Sequence, residues 1–385
     1  MPPLAGVDRA VASIPMVAMR PFYSRGRLVA RPLHRTTCAT KPLGCYAVGQ
    51  LSIPRPSEGA SMLVRLVANY DLSRILNLTP GKNGRWADVQ FCIDPAVRKA
   101  DYLIVLNYCP EPQEFHVPEG NTWLLLQEPA VDLFKHYHRG EGPYDLVLTS
   151  DPDLRGPRYV HSHPCLTTAL PGSYDELVAA SPPLKTSTLS WVTSHLRVLP
   201  GHRDRMEFLQ RLRSEVPFDL YGRGFAPLED KAEGLAPYRY SIAFENWPSP
   251  YYWTEKVTDC FLTWTVPIYY GCPRIHEFFP EKSVVTFDAR DPGAIDGMKR
   301  LVETDNYENR LDALSEARTL FLNRYQFFPY LAAQISAHAA RTGLTRRTYR
   351  PVRVSPPRAP LGLRLERRYR PPLGRAKRRV MRVFR

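Results

Sequence analysis

The chain has 385 residues, 44% of them hydrophobic and 11% aromatic, which excludes a chain too polar to fold and allows two domains with separate cores. Its formal net charge is +14, but residues 341–385 hold 16 Lys+Arg against one acid and residues 1–61 hold 8 against two, leaving 28 basic and 35 acidic side chains in 62–340. The body is thus mildly acidic, so a broad nucleic-acid surface is not expected, and the partners implied by charge are those of the flanks. The seven cysteines are odd in number and none has the close spacing of a zinc site, which points to a reducing compartment. No apolar run approaches the length of a membrane span, and residues 1–61 lack an apolar signal-peptide core. A cytoplasmic location is expected.

Residues 1–61 are rich in Pro, Arg and small residues without sustained periodicity, and are expected to be a disordered extension. From Met62 the texture changes. Short apolar runs at 63–67, 102–106, 123–126 and 146–149 read as buried strands, separated by helix-length segments, so 62–175 is expected to be a Rossmann-like domain with a parallel sheet. Residues 171–187 form a Pro/Ser/Ala-containing connector. A second α/β unit, 176–340, follows, with strands at 189–194, 218–222, 240–244, around Val266 and at 283–287. Helices are expected over 204–214, from Thr254 onward, over 293–302 and over 309–340. Two such units in series predict an α/β GT-B architecture with flexible basic flanks; one doubly wound domain with a large insertion is the rival. The basic tail, 341–385, ends in a run, 375–385, able to form a short amphipathic helix that anionic lipid would attract by about 1 kcal/mol per basic residue.

The densest chemistry lies between Phe244 and Lys256. An apolar strand leads in, and Val257, Cys260, Phe261 and Trp264 mark one helix face leading out. Ligands of α/β sheets bind beyond the carboxyl ends of strands, where the next helix offers free N–H groups and partial positive charge. Thr254 reads as the N-cap, placing Glu255 and Lys256 in the first turn. A lysine there opposes the helix dipole, so a negative ligand such as a diphosphate is expected outside. A loop with a surface Glu-Lys pair is the plain alternative.

The same residues resemble the signature of glycosyltransferase family 10, the α-1,3/1,4-fucosyltransferases: Glu245-Asn246, a short stretch, Tyr252-Trp253-Thr254-Glu255-Lys256, a helix, then Val266-Pro267. The likeness is strongest over about 186–290. It departs at Thr263-Trp264-Thr265, where many members carry a small residue and Gly. The resemblance implies an inverting transfer of fucose from GDP-fucose to a glycan hydroxyl, as in protein glycosylation or polysaccharide synthesis. The alternatives are another nucleotide sugar, or a catalytically silent protein held at a membrane by its tail.

Such a transfer needs a base, positive charge for the departing diphosphate, and an oriented donor. Lys256 and Arg205 are the candidates for the leaving group. Arg205-Met206-Glu207-Phe208 resembles the family's helix start; read alone, Arg205 and Arg203 are equally a charged helix face. Glu128, directly after an apolar strand, is the candidate base, with Glu111, Glu114 and Asp151 as competitors and a surface turn acid as the plain alternative. Glu255 is the second catalytic candidate; the resemblance places it on the donor sugar or ribose and lines the same pocket with Asn246 and Tyr252. Arg223, in Tyr221-Gly222-Arg223-Gly224, would reach the nucleotide or simply sit in a turn. Asp151-Pro152-Asp153 and Asp288-Ala289-Arg290-Asp291 read as loop acids, and no metal or other cofactor is expected beyond the donor itself. The partners expected are a nucleotide sugar, an oligosaccharide or polysaccharide acceptor, and an anionic membrane surface for the tail, with no nucleic acid.

Overall fold

The structure, a computed structural model, describes residues 61–357 except 135–136, 138–140, 305 and 344–347. The expected N-terminal extension up to residue 60 and the basic helix over 375–385 lie outside the described residues. Among the described residues no helix is long and apolar enough to cross a membrane.

The first sheet has the order β2-β3-β1-β4-β6-β7-β8. Its strands are β1 (Met62–Ala68), β2 (Arg85–Trp86), β3 (Val89–Cys92), β4 (Tyr102–Leu106), β6 (Thr122–Leu125), β7 (Leu146–Thr149) and β8 (Tyr159–His161). All neighbours are parallel except the short β2–β3 pair. Every residue of β4 is buried, as expected for a central parallel strand covered on both faces. The second sheet, β10-β9-β11-β12-β13, is wholly parallel. Its strands are β9 (Ser187–Val192), β10 (Asp219–Tyr221), β11 (Tyr238–Phe244), β12 (Val266–Tyr270) and β13 (Val285–Thr286). The helices used below are α1 (Tyr174–Ala179), α2 (Pro200–Leu212), α3 (Glu255–Leu262), α4 (Ala294–Thr304), α5 (Leu311–Leu320) and α6 (Phe327–Thr342). Two parallel α/β units in series make the GT-B architecture.

The connector is less loose than its composition implies. Ser173 and Glu176 cap α1 reciprocally, with the Ser173 N–H donating to Glu176 Oε2 at 2.7 Å. Buried Arg318 donates to the carbonyls of Leu177 (2.8 Å) and Ala180 (3.2 Å), tying the connector to α5. Arg318 also lies over the Trp264 ring at 4.5 Å. Trp264 has φ +59°, a left-handed conformation that favours glycine.

Two expectations change. The helical segments expected over 309–340 are divided by a π-helical turn, Phe321–Tyr325, and by Gln326, whose extended backbone (ψ 164°) ends one helix and caps the next. The break redirects the chain, so that α6 packs on the first sheet. Phe328 meets Phe91 edge-on at 5.0 Å, Ser336 Oγ donates to Asp88 at 3.1 Å, and Tyr102 Oη lies 2.9 Å from His338 Nδ1. The C-terminal end of the 176–340 unit therefore belongs, in packing, to the first unit.

The tail expected from 341 begins with structure as well. β14 (Tyr349–Val354) pairs antiparallel with β5 (Gln113–Pro118). Val352 and Val354 are buried while Pro351 and Arg353 are exposed, a period-two pattern that the many arginines hide. The Tyr349 hydroxyl donates to Asp101 at 2.6 Å, and Lys99 Nζ sits 4.3 Å from the Tyr349 ring centroid. Burial of the two valines contributes about 3–6 kcal/mol, so the covered edge of β5 is part of the folded body.

Candidate functional site

The carboxyl ends of both sheets meet in a cleft of about 880 Å³. The first sheet supplies Tyr70 after β1, Asn107 after β4, and Gln127 and Glu128 after β6. The second supplies Asn246 and Tyr252 after β11, then Thr254, Glu255 and Lys256 at the start of α3. Among the nominated residues, Glu128, Asn246, Tyr252, Glu255 and Lys256 thus line one cavity.

Thr254 caps α3, its side chain accepting the Lys256 N–H at 3.4 Å. Behind it stands Glu245, 0% exposed at the end of β11. Glu245 Oε1 accepts from the Thr254 N–H (2.8 Å) and hydroxyl (2.7 Å), and Oε2 accepts from Lys256 Nζ at 3.0 Å. The dipole argument that called for an external anion is therefore met partly from inside: Glu245 is the carboxylate that offsets Lys256. Lys256 Nζ also donates to Thr254 Oγ1 at 3.0 Å, so two of its three N–H groups are taken, and it lies 3.7 Å from Oε1 of Glu255, which lines the cleft. Burial works against the Lys256 ammonium, but Glu245 and Glu255 outweigh it and hold its pKa above the ordinary lysine value. Burial pushes Glu245 up, with Lys256 opposing. For Glu255 burial is outweighed by Lys256 and Lys231, and its pKa is lowered.

Glu128 faces this constellation from the other sheet. Burial raises its pKa, and the charges it feels most are Lys256, which lowers it, and Glu255, which raises it. Its neighbour Gln127 is fixed by an N–H bond to Asn107 Oδ1 at 2.8 Å, and Asn107 reaches that position from a left-handed φ of +58°.

Arg205 sits elsewhere than its motif implies. The helix begins at Pro200, where proline's fixed φ suits the first turn, so Arg205 lies in the second turn and does not open it. It is 3% exposed and stands behind the cavity wall. Its NH1 donates to Asn246 Oδ1 at 2.9 Å and its NH2 to the Ser194 carbonyl at 2.9 Å, while buried Nε has no partner. Burial lowers its pKa to about 10. Arg223 is exposed and lines no part of this cavity; its carbonyl accepts the His195 N–H at 3.0 Å, a structural turn. Glu111, Glu114 and Asp151 are also off the cavity wall. Asp151, Asp288 and Asp291 each accept a backbone N–H two residues on, as turn acids do.

Residues 182–303 match the family described as glycosyltransferase family 10 (fucosyltransferase) C-term. They form a family 10 glycosyltransferase C-terminal domain. The human 4-galactosyl-N-acetylglucosaminide 3-alpha-L-fucosyltransferase FUT5 is 27% identical over 238 residues, 56% of this chain and 58% of that protein. The Helicobacter pylori alpha-(1,3)-fucosyltransferase FucT is 31% identical over 205 residues, 49% of this chain and 40% of that protein. The chain therefore spans about half of the curated relatives it matches. A crystal structure of an alpha1,3-fucosyltransferase with GDP-fucose aligns at TM-score 0.46 and 21% identity, over 78% of this chain and 95% of that one.

Several residues of the family 10 domain escape a reading of the sequence. Gly201 is required because a Cβ there would come 1.9 Å from the Asn246 carbonyl oxygen; α2 and the motif loop touch backbone to backbone. Buried Asp259, on α3, accepts from Lys231 Nζ at 2.8 Å, Thr168 Oγ1 at 2.5 Å and the Ala169 N–H at 3.3 Å, fastening α3 to the loop between the sheets. Tyr251 and Trp253 serve that junction too, stacking on His161 (5.2 Å) and His163 (4.3 Å). No spacing rule marks these residues, because each partner lies far off in sequence.

Proposed function

We propose that this chain transfers fucose from GDP-fucose to a hydroxyl of a glycan acceptor, with inversion at the anomeric carbon. The observation that carries the reading is one cavity that sets a carboxylate of raised pKa, Glu128, across from the capped, cationic start of α3. The acceptor oxygen attacks the anomeric carbon while its proton passes to the Glu128 carboxylate. The bond from that carbon to the diphosphate oxygen breaks, and GDP departs with the electron pair. The third N–H of Lys256 and the positive end of the α3 dipole face the charge that develops on it. Glu245 keeps Lys256 charged and aimed, Arg205 holds Asn246 in place, and Glu255 is the hydrogen-bond acceptor for donor hydroxyls. None of these roles needs a metal.

The strongly basic stretch beyond residue 357 would keep such an enzyme near membrane-borne acceptors through attraction to anionic lipid. The direct test of the donor is a screen of nucleotide sugars for release of the free nucleotide. GDP-fucose should be consumed and UDP-sugars left intact; turnover of a UDP-sugar with GDP-fucose untouched would replace the donor.

A further inference from the structure

Across the cleft from the motif, the first sheet presents an aromatic ring to the cavity. Tyr70 is 43% exposed, whereas Tyr252 on the opposite wall is 4% exposed. The Tyr70 hydroxyl donates to Gln127 Oε1 at 2.6 Å. Gln127 is 5% exposed and held at both ends, by the Asn107 side chain at 2.8 Å and through its own Nε2 to the Pro164 carbonyl at 3.3 Å. Tyrosines at surfaces usually bury the ring and leave the hydroxyl to water. Here the hydroxyl is fixed inside and the ring is offered to the cleft. The charges beside Tyr70 offset one another, Asp71 against Arg74 and Lys82 against Glu176 at 3.9 Å, so this part of the wall carries no formal net charge to draw a charged ligand. The fixing residue precedes Glu128 in sequence, and Tyr70 and Glu128 line the same cavity.

We propose that Tyr70 is a stacking platform for a neutral pyranose, whose C–H face lies on the ring while its hydroxyls reach the Asn107 amide and Glu128. Calling that sugar the acceptor rests on the fucosyl-transfer reading; the platform itself does not. The experiment is saturation-transfer NMR with N-acetyllactosamine as probe and GDP present, on the wild type, Tyr70→Ala and Tyr70→Phe, with GDP affinity of each measured by calorimetry. Wild type should transfer saturation to the C–H protons of one pyranose face. Tyr70→Ala should raise the probe Kd by about tenfold or more, the size of an aromatic stacking contact, and leave GDP affinity unchanged. Tyr70→Phe keeps the ring and should fall between the two. Equal probe affinity in Tyr70→Ala and wild type, or no saturation of any probe proton by wild type, would overturn the platform. A wild type that stacks the probe but binds no GDP would sustain the platform and sink the donor reading alone.

Discussion

Glu128→Gln should lose glycosyl transfer by at least about a hundredfold while GDP affinity stays at the wild-type level, since a positioned general base contributes about 10²–10⁴. The substitution keeps the shape of the side chain and removes only its capacity to take a proton. Glu128 stands on the first sheet while Asn246, Tyr252 and Lys256 line the opposite wall, so nucleotide binding should scarcely respond. The sign of the pH dependence follows from the same environment. A base works when ionised, and burial raises the Glu128 pKa, so wild-type activity should fall with decreasing pH along a limb above the ordinary glutamate value. The limb should be absent from the residual activity of Glu128→Gln. Full transfer by that variant would remove Glu128 as base, and none of its competitors Glu111, Glu114 and Asp151 lines the cavity to replace it.

Lys256→Ala should have two effects that can be separated. GDP affinity should fall by about 2–3 kcal/mol, the value of one charge-assisted contact to a desolvated phosphate. Stability should fall too, by about 3–5 kcal/mol, because fully buried Glu245 would be left without its partner, either charged and unpaired or forced to take up a proton. The double variant Glu245→Gln/Lys256→Met removes both charges, retains an acceptor for Thr254, and should recover most of the melting temperature without recovering GDP affinity. Calorimetry showing wild-type GDP affinity in Lys256→Ala, or its return in the double variant, would take Lys256 out of the donor site.

The parts of this arrangement that can be read in the sequence are those whose cause is local. Strands β4 and β7 appear as continuous apolar runs because both faces of a parallel strand are covered. Thr254 is legible as a cap because its hydroxyl serves the chain two residues on. Where the cause lies far off in sequence, reading fails. Lys256 displays its charge, but nothing in the spacing pairs it with a glutamate that reads as the end of a strand. The apolar face from Met206 hides the true start of α2 at the proline at 200, and with it the move of Arg205 from a helix end to the back of Asn246. Strand β14 is hidden because its inward valines alternate with arginines and a proline, a composition that reads as tail. The return of α6 to the first sheet depends on one extended residue, Gln326, inside a stretch whose apolar pattern is otherwise helical throughout.

The central claim is a single displacement: Glu128 deprotonates the acceptor on one side of the anomeric carbon as GDP leaves from the other. NMR of the anomeric proton of the first-formed product from GDP-fucose measures that directly. The account predicts one product, with the anomeric configuration opposite to the donor's and one GDP released per bond formed. Retention of the donor configuration, or fucose trapped covalently on the protein, would contradict it.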